Sequence, residues 1–220
     1  MKIFITGSTG FIGRHVMRLI GKEHEIFCMT RATSAKEILQ FNPERALHLA
    51  WDGIPDHGPA MSLKNILLSN NIYEALSKTN CERIVEAGTG AEYGAESGPC
   101  MENDQRFSLT ALGSSKIFCY VMGKATGIDF IWGRIPYVYG EGQRDGSLIP
   151  SLIRGKNEGK DPVLKNPQGA HDFIYVEDVA QAFVLLLLGN CESGIYNLGS
   201  GTLTSIQEIV DRIYGRKVGT

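Results

Sequence analysis

Thr6-Gly7-Ser8-Thr9-Gly10-Phe11-Ile12-Gly13 sets three glycines three residues apart, between a β-type run and a helical pattern. This order of residue types suits a pyrophosphate. Gly7 permits a tight turn, Gly10 lets backbone approach the phosphates, and Gly13 lets helix and strand pack closely. The amides that open the helix, with Thr9, Phe11 and Ile12 around them, then face the anion. A plain strand-turn-helix corner is the alternative, and strand, spacing and helix together favour dinucleotide binding. At the end of the second strand, where a carboxylate would accept hydrogen bonds from an adenosine ribose, the chain has Met29-Thr30-Arg31. With no acid to repel it, a 2'-phosphate can sit against Arg31, which favours NADP slightly over NAD. The other reading of Arg31 is a solvated loop residue.

The elements that must hold this turn follow from periodicity. Lys2 to Thr6, His24 to Thr30, Ala46 to Ala50, Arg83 to Gly88 and Phe130 to Arg134 read as strands. Phe11 to Gly21, Leu63 to Lys78 and Thr110 to Thr126 have helical length, as does the apolar run Val176 to Leu188. Alternation of this kind predicts an α/β protein with a Rossmann-type, doubly wound parallel sheet. The connection before Ala46 has room for one helix only, so one strand-helix unit is expected to be missing. After Gly140 the texture turns to Gly, Pro and Asn-rich loops around shorter elements, which predicts a smaller lobe.

The 220 residues are 43% hydrophobic and 21% charged, with a formal charge of -2, enough for a packed core and without a basic block for nucleic acid. The apolar stretch Ala182 to Leu188 falls far short of the roughly 20 residues that span a bilayer. The first residues are interrupted by Thr6, Gly7 and Ser8, so no secretion signal is expected. Five scattered cysteines without a Cys-x-x-Cys pair fit free thiols in the cytoplasm. The five histidines lack ligand spacing, so no metal is expected, and no Gly-x-Ser-x-Gly elbow supports a hydrolase.

The glycine turn, His48-Leu49-Ala50, Asn65, Thr89 to Gly94, Ser114-Ser115-Lys116, Arg134 to Gly140 and Asp172-Phe173-Ile174-Tyr175-Val176-Glu177-Asp178 resemble the extended short-chain dehydrogenase/reductases. More narrowly they are similar to the NAD-dependent epimerase/dehydratase family that modifies nucleotide sugars. The resemblance implies a dinucleotide-binding domain over residues 1–140, with returning elements near 171–200, and a small substrate lobe over 141–220. It implies cofactor contacts from Gly7, Thr9, Gly10, Phe11, Ile12 and Gly13, then from Thr30, Arg31, Leu49 and Ala50, and finally from Lys116, Ile135 and Pro136. A nucleotide-sugar substrate and a homodimer through the two long helices are further implications. Members of the family run several tens of residues past the helix starting near Thr204, so the resemblance implies that the small substrate lobe is truncated here and its pocket incomplete unless a partner subunit closes it.

In that family a Ser or Thr, a Tyr and a Lys cooperate, the last two as Tyr-x-x-x-Lys on one helix face. A sugar carbon gains or loses hydride while its oxygen exchanges a proton, and the ammonium lowers the tyrosine pKa from about 10. Lys116 matches the lysine and Thr89 the hydroxyl, but the tyrosine position is Leu112. Losing a positioned acid/base costs on the order of 100 to 10,000-fold in rate. Three explanations stand: an enzyme whose proton carrier has moved, a cofactor-binding protein without turnover that senses or scaffolds, or a tyrosine replaced in this molecule.

For a relocated acid, Tyr137 is the preferred residue, since Tyr120 lies too far along the helix. Tyr93 and Tyr139 read as core, and Glu92 as a cap or a carboxylate beside Thr89. The expected catalytic set is therefore Thr89, Lys116 and Tyr137. Expected substrate contacts are Thr89, Tyr137, His171, standing where the family commonly has an arginine for a diphosphate, and Arg144 as its substitute, the other reading of Arg144 being a solvent-facing loop residue. Leu148-Ile149-Pro150 and Asn197 to Gly201 are read as scaffold. Trp51 and Trp132 follow or occupy strand ends, where they either border a ligand or, as is commoner for an isolated indole, pack as core.

Overall fold

The computed structural model describes residues 1–94, 98–104 and 108–215. Six parallel strands form the main sheet: β1 (Lys2–Thr6), β2 (Glu25–Cys28), β3 (Arg45–His48), β4 (Arg83–Thr89), β5 (Asp129–Ile135) and β8 (Gly194–Asn197), in the order β2-β1-β3-β4-β5-β8. Between them run α1 (Phe11–Leu19), α2 (Ala35–Phe41), α3 (Pro59–Leu76), α4 (Ala111–Lys124) and α6 (Val176–Leu188).

Strand periodicity decides which helix covers which face. Side chains alternate along a strand, so Ile3 and Ile5 join Leu47, Val85 and Ile131 under Val16 and Ile20 of α1 and Val179, Phe183 and Leu187 of α6. Phe4 points the other way, with Ala46, Ile84, Phe130 and Trp132, beneath Ile38 of α2, Ile72 and Leu76 of α3, and Cys119 of α4. A sheet covered on both faces needs the near-continuous apolar strands observed. Chain order reverses between β1 and β3, and a crevice opens there at the C-terminal strand ends.

Two predicted strands are shorter than expected, for a reason that bears on the site. β3 ends at His48 because Leu49 N donates to Thr6 O and Ala50 N donates to Thr6 Oγ1, drawing the chain towards the glycine turn. β2 ends at Cys28, beyond which Thr30 and Thr33 close a turn of their own. α2 is the single helix in the connection before β3, and β2 is the sheet edge.

A second sheet joins β6 (Tyr137–Tyr139), β7 (Ala170–Tyr175) and β9 (Leu203–Ser205); β7 pairs parallel with β6 and antiparallel with β9. α5 (Leu148–Asn157) and α7 (Ile206–Tyr214) pack against each other beside it. Within the stretch 141–220, α6 lies against α1 and β8 pairs with β5, so these returning elements belong to the main body. Their attachment is polar as well as apolar: Arg83 donates to the carbonyls of Leu186, Gly189 and Cys191 and pairs with Asp129 at 2.6 Å, tying the end of α6 to β4 and β5.

Candidate active site

The glycine turn forms as its residue types require. Gly7 sits at φ +71°, a left-handed conformation costly for other residues, and its carbonyl accepts from Gly10 N at 2.9 Å. A Cβ built on Gly13 would lie 2.8 Å from the Gly7 carbonyl carbon and closer still to its oxygen. Helix and turn therefore touch through backbone alone. Gly10 is the N-cap of α1 and brings no side chain to the first-turn amides. These features fit a dinucleotide: the helix end carries partial positive charge and its amides lack a side-chain cap.

Next to the turn is a cavity of about 190 Å³ lined by Ile12, Leu49, Trp51, Ile54, His57, Ala87, Gly88, Thr89, Leu112, Lys116, Ile135 and Pro136. It brings together Thr89, Lys116 and Leu112 with Ile12, Leu49, Ile135 and Pro136. Thr89 ends β4 and caps the 3-10 turn Gly90–Tyr93, its Oγ1 accepting from Ala91 N. Its own N–H donates to Glu92 Oε1 at 2.7 Å. Glu92 is buried, and its carboxylate also accepts from Trp132 Nε1 and Arg134 Nε. Of the two roles open to Glu92, the structure shows the cap.

Lys116 is itself buried on α4. Its Nζ donates to Ala87 O at 2.7 Å, lies 3.9 Å from Glu86 Oε1, and stands 3.9 Å above the Trp51 ring. Burial lowers its pKa, opposed chiefly by the charge of Glu86. Burial likewise raises the Glu86 carboxyl to about 7, while Lys116 and the Tyr73 hydroxyl, which donates to its other oxygen, pull it down. Behind Glu86, His48 bonds Thr6 Oγ1 at 2.6 Å and Ser69 Oγ at 2.9 Å. Burial holds its pKa down at about 3, so it is neutral.

Other expected residues lie elsewhere. Tyr137, half exposed on β6, does not line the cavity; its ring packs on His171 of β7, centroid to centroid 4.3 Å, with Phe173 at 5.6 Å. Tyr120 packs against Phe130 and Trp132. Arg144 is exposed in the loop before α5. Arg31 is 93% exposed and 3.3 Å from Asp52, whose pKa is lowered mainly by Lys64. Thr9 is exposed on the glycine turn and Thr30 lies beyond β2. A separate hollow of about 510 Å³, between Tyr139 and Gly142 and the residues Ile149, Pro150, Ile153 and Arg154 near α5, shares no lining residue with the cavity.

Trp51, just after β3, fills both of the roles open to it: it packs against the core beneath α3 and α4 and walls the cavity. Asn65 braces the loop that carries it by accepting from Asp52 N and donating to Asp52 O. Glu86 was not singled out at all. A lone carboxylate within the apolar run Ile84-Val85-Glu86-Ala87 was the clue to it.

The profile of the NAD dependent epimerase/dehydratase family matches residues 3–199. The dTDP-6-deoxy-L-talose 4-dehydrogenase (NAD(+)) of Aggregatibacter actinomycetemcomitans is 24% identical over 240 aligned positions, covering 96% of this chain and 88% of that protein. The dTDP-4-dehydro-6-deoxyglucose reductase of Escherichia coli is 26% identical over 80% of this chain and 60% of its own length. Among solved structures, the UDP-N-acetylglucosamine 4-epimerase of Bacillus cereus superposes with a TM-score of 0.86 at 25% identity, covering 99% of this chain and 83% of that one. The match over nearly the whole length, with the glycine turn and the Thr89 and Lys116 cavity inside it, makes this chain a member of the NAD-dependent epimerase/dehydratase family.

Proposed function

We propose that this chain is an NAD(P)-dependent enzyme of nucleotide-sugar metabolism that oxidises or reduces a sugar carbon. The observation that carries the reading is a cavity joining the opening turn of α1 to Thr89 and Lys116. A bound nicotinamide coenzyme supplies or accepts the hydride. Gly7, Gly10 and Gly13 hold its pyrophosphate against the α1 amides, with Thr9, Phe11 and Ile12 around them. Leu49, Ala50, Ile135 and Pro136 border the nicotinamide half, and Lys116 binds its ribose hydroxyls. Arg31, with Thr30, meets a 2'-phosphate, which gives NADP a slight preference; leaving Asp52 is its cost in that contact.

On the substrate side, Thr89 Oγ1 donates to the reacting sugar oxygen and polarises it. Tyr137 and His171 offer a tilted aromatic pair at the lobe, and Arg144 a charge for a diphosphate. The similarity to a 4-dehydrogenase and a 4-dehydro reductase of dTDP sugars supports a deoxysugar oxidoreductase. Pairing of two copies through α3 and α4 is supported by exposed Leu63, Leu67, Phe118 and Val121 on these helices. A dimer mass in sedimentation, lost in Leu67→Glu, checks it. The free thiols of Cys28, Cys81, Cys119 and Cys191 support a reducing, cytoplasmic setting.

The test is coenzyme oxidation or reduction with a panel of nucleotide sugars and their 4-keto forms. Turnover is expected, falling on the order of 100-fold in Thr89→Val. Saturable coenzyme binding with no turnover on any sugar would instead establish the second reading, a cofactor-binding protein that senses or scaffolds, which Leu112 on the cavity wall favours.

A further inference from the structure

Lys116 has no tyrosine to act on, yet it is held as though its charge mattered. A lysine in so dry a place releases its proton unless a counter-charge faces it. Glu86 is the carboxylate in position: fully buried on β4, 3.9 Å from Nζ, with Tyr73 donating to Oε2 and no hydrogen-bond partner on Oε1 among the described residues. The remaining groups facing this pair are the neutral His48 from β3, the Cys119 thiol from α4, whose pKa burial raises to about 11, and the Glu92 carboxylate from the 3-10 turn. Glu92 is already matched by Arg134 at 2.7 Å. Glu86 is thus left as the counter-ion of Lys116.

We propose that Glu86 is the positioning residue of Lys116: its carboxylate holds at the cavity wall the ammonium from which Lys116 exchanges a proton with a ligand oxygen. In the forward sense one Nζ–H bond breaks, its electron pair stays on nitrogen, and an O–H bond forms on the ligand. The amine then regains a proton from solvent through the cavity that it lines, and Glu86 stays carboxylate throughout. The proton role lost at Leu112 passes in this way to a pair that the fold buries behind it. The ligand-facing half of the inference rests on the function proposed above; the pairing itself does not.

Competitive acetylation of the coenzyme-free protein, followed across pH by mass spectrometry, tests the pairing. The midpoint of Lys116 labelling reads its pKa, while the plateau reads access. In Glu86→Gln the midpoint is expected to fall by at least about one pH unit, a tenfold rise in amine fraction at fixed pH. Glu86→Asp, with a carboxylate one methylene farther away, is expected between that variant and the parent. A purely structural role for Glu86 would loosen the core, raising the plateau and moving the midpoint up towards that of an exposed lysine. That result, or an unchanged midpoint, overturns the proposal. If Glu86→Gln does not fold, the Asp variant decides: a downward shift supports the pairing and no shift overturns it. A failure of coenzyme binding would strike the proposed function and leave this midpoint shift intact.

Discussion

Leu112 and Lys116 stand one helical turn apart on α4 and line the same cavity wall. An apolar side chain thus occupies the place from which a hydroxyl would meet both the lysine and a sugar oxygen. In Leu112→Tyr the new hydroxyl lies near an ammonium that lowers its pKa. Turnover on the best nucleotide sugar is expected to rise on the order of 100-fold or more, measured as coenzyme absorbance change. Unchanged turnover would mean that the cavity does not align a sugar for chemistry.

Gly10 and Gly13 are distinguishable by substitution. A Cβ on Gly13 collides with the Gly7 backbone, whereas one on Gly10 meets only Gly7 O, at 3.1 Å. Gly13→Ala should therefore cost about 2 kcal/mol of stability together with coenzyme binding. Gly10→Ala should cost under about 1 kcal/mol and still weaken coenzyme binding about tenfold or more. Urea unfolding and calorimetry on the two variants separate these effects.

Buried His48 and Glu86 give opposite pH dependences. His48 is depressed from 6.5 to about 3, so the unfolded chain takes a proton there that the native one refuses; its contribution is full above 6.5 and is lost as pH falls towards 3. Glu86 is raised from 4.5 to about 7; its contribution is full below 4.5 and is lost as pH rises through 7. Between pH 4.5 and 6.5 the two slopes, each about 1.4 kcal/mol per pH unit, cancel. Below 4.5 the His48 slope stands alone. His48→Gln should remove it, so that stability rises as pH falls from 7 to 4.5. Denaturant midpoints measured between pH 4 and 8 check this, and equal profiles for parent and variant would refute it.

Arg83 fastens the returning helix α6 to the sheet through three carbonyls and Asp129. Truncation strands those acceptors. Arg83→Ala should destabilise by about 3 kcal/mol, with amide exchange rising first at the C-terminal end of α6. Uniform exchange across the main sheet would contradict that local role.

The glycine turn, the main strands and α6 were legible because their signals are local: three glycines at fixed spacing, apolar runs, a helical period. β8 and β9, of four and three residues, carry no usable periodicity and take their place from pairing with distant strands. Lys116 stood out through the family resemblance of its segment. Its contacts with Trp51 and Glu86 did not, because these residues sit 65 and 30 positions away and meet it only when α4 packs on the sheet. Tyr137 was assigned by its neighbours in sequence. Pro136, between β5 and β6, still lines the cavity, whereas the Tyr137 ring one residue on packs against His171.

The most direct test of the whole account is titration calorimetry of the purified chain with NAD and NADP, in reduced and oxidised forms. Saturable one-site binding is predicted, tighter for the NADP forms, with that preference lost in Arg31→Ala and binding itself lost in Gly13→Ala. No heat with any of the four coenzymes, from a protein shown to be folded, would contradict it.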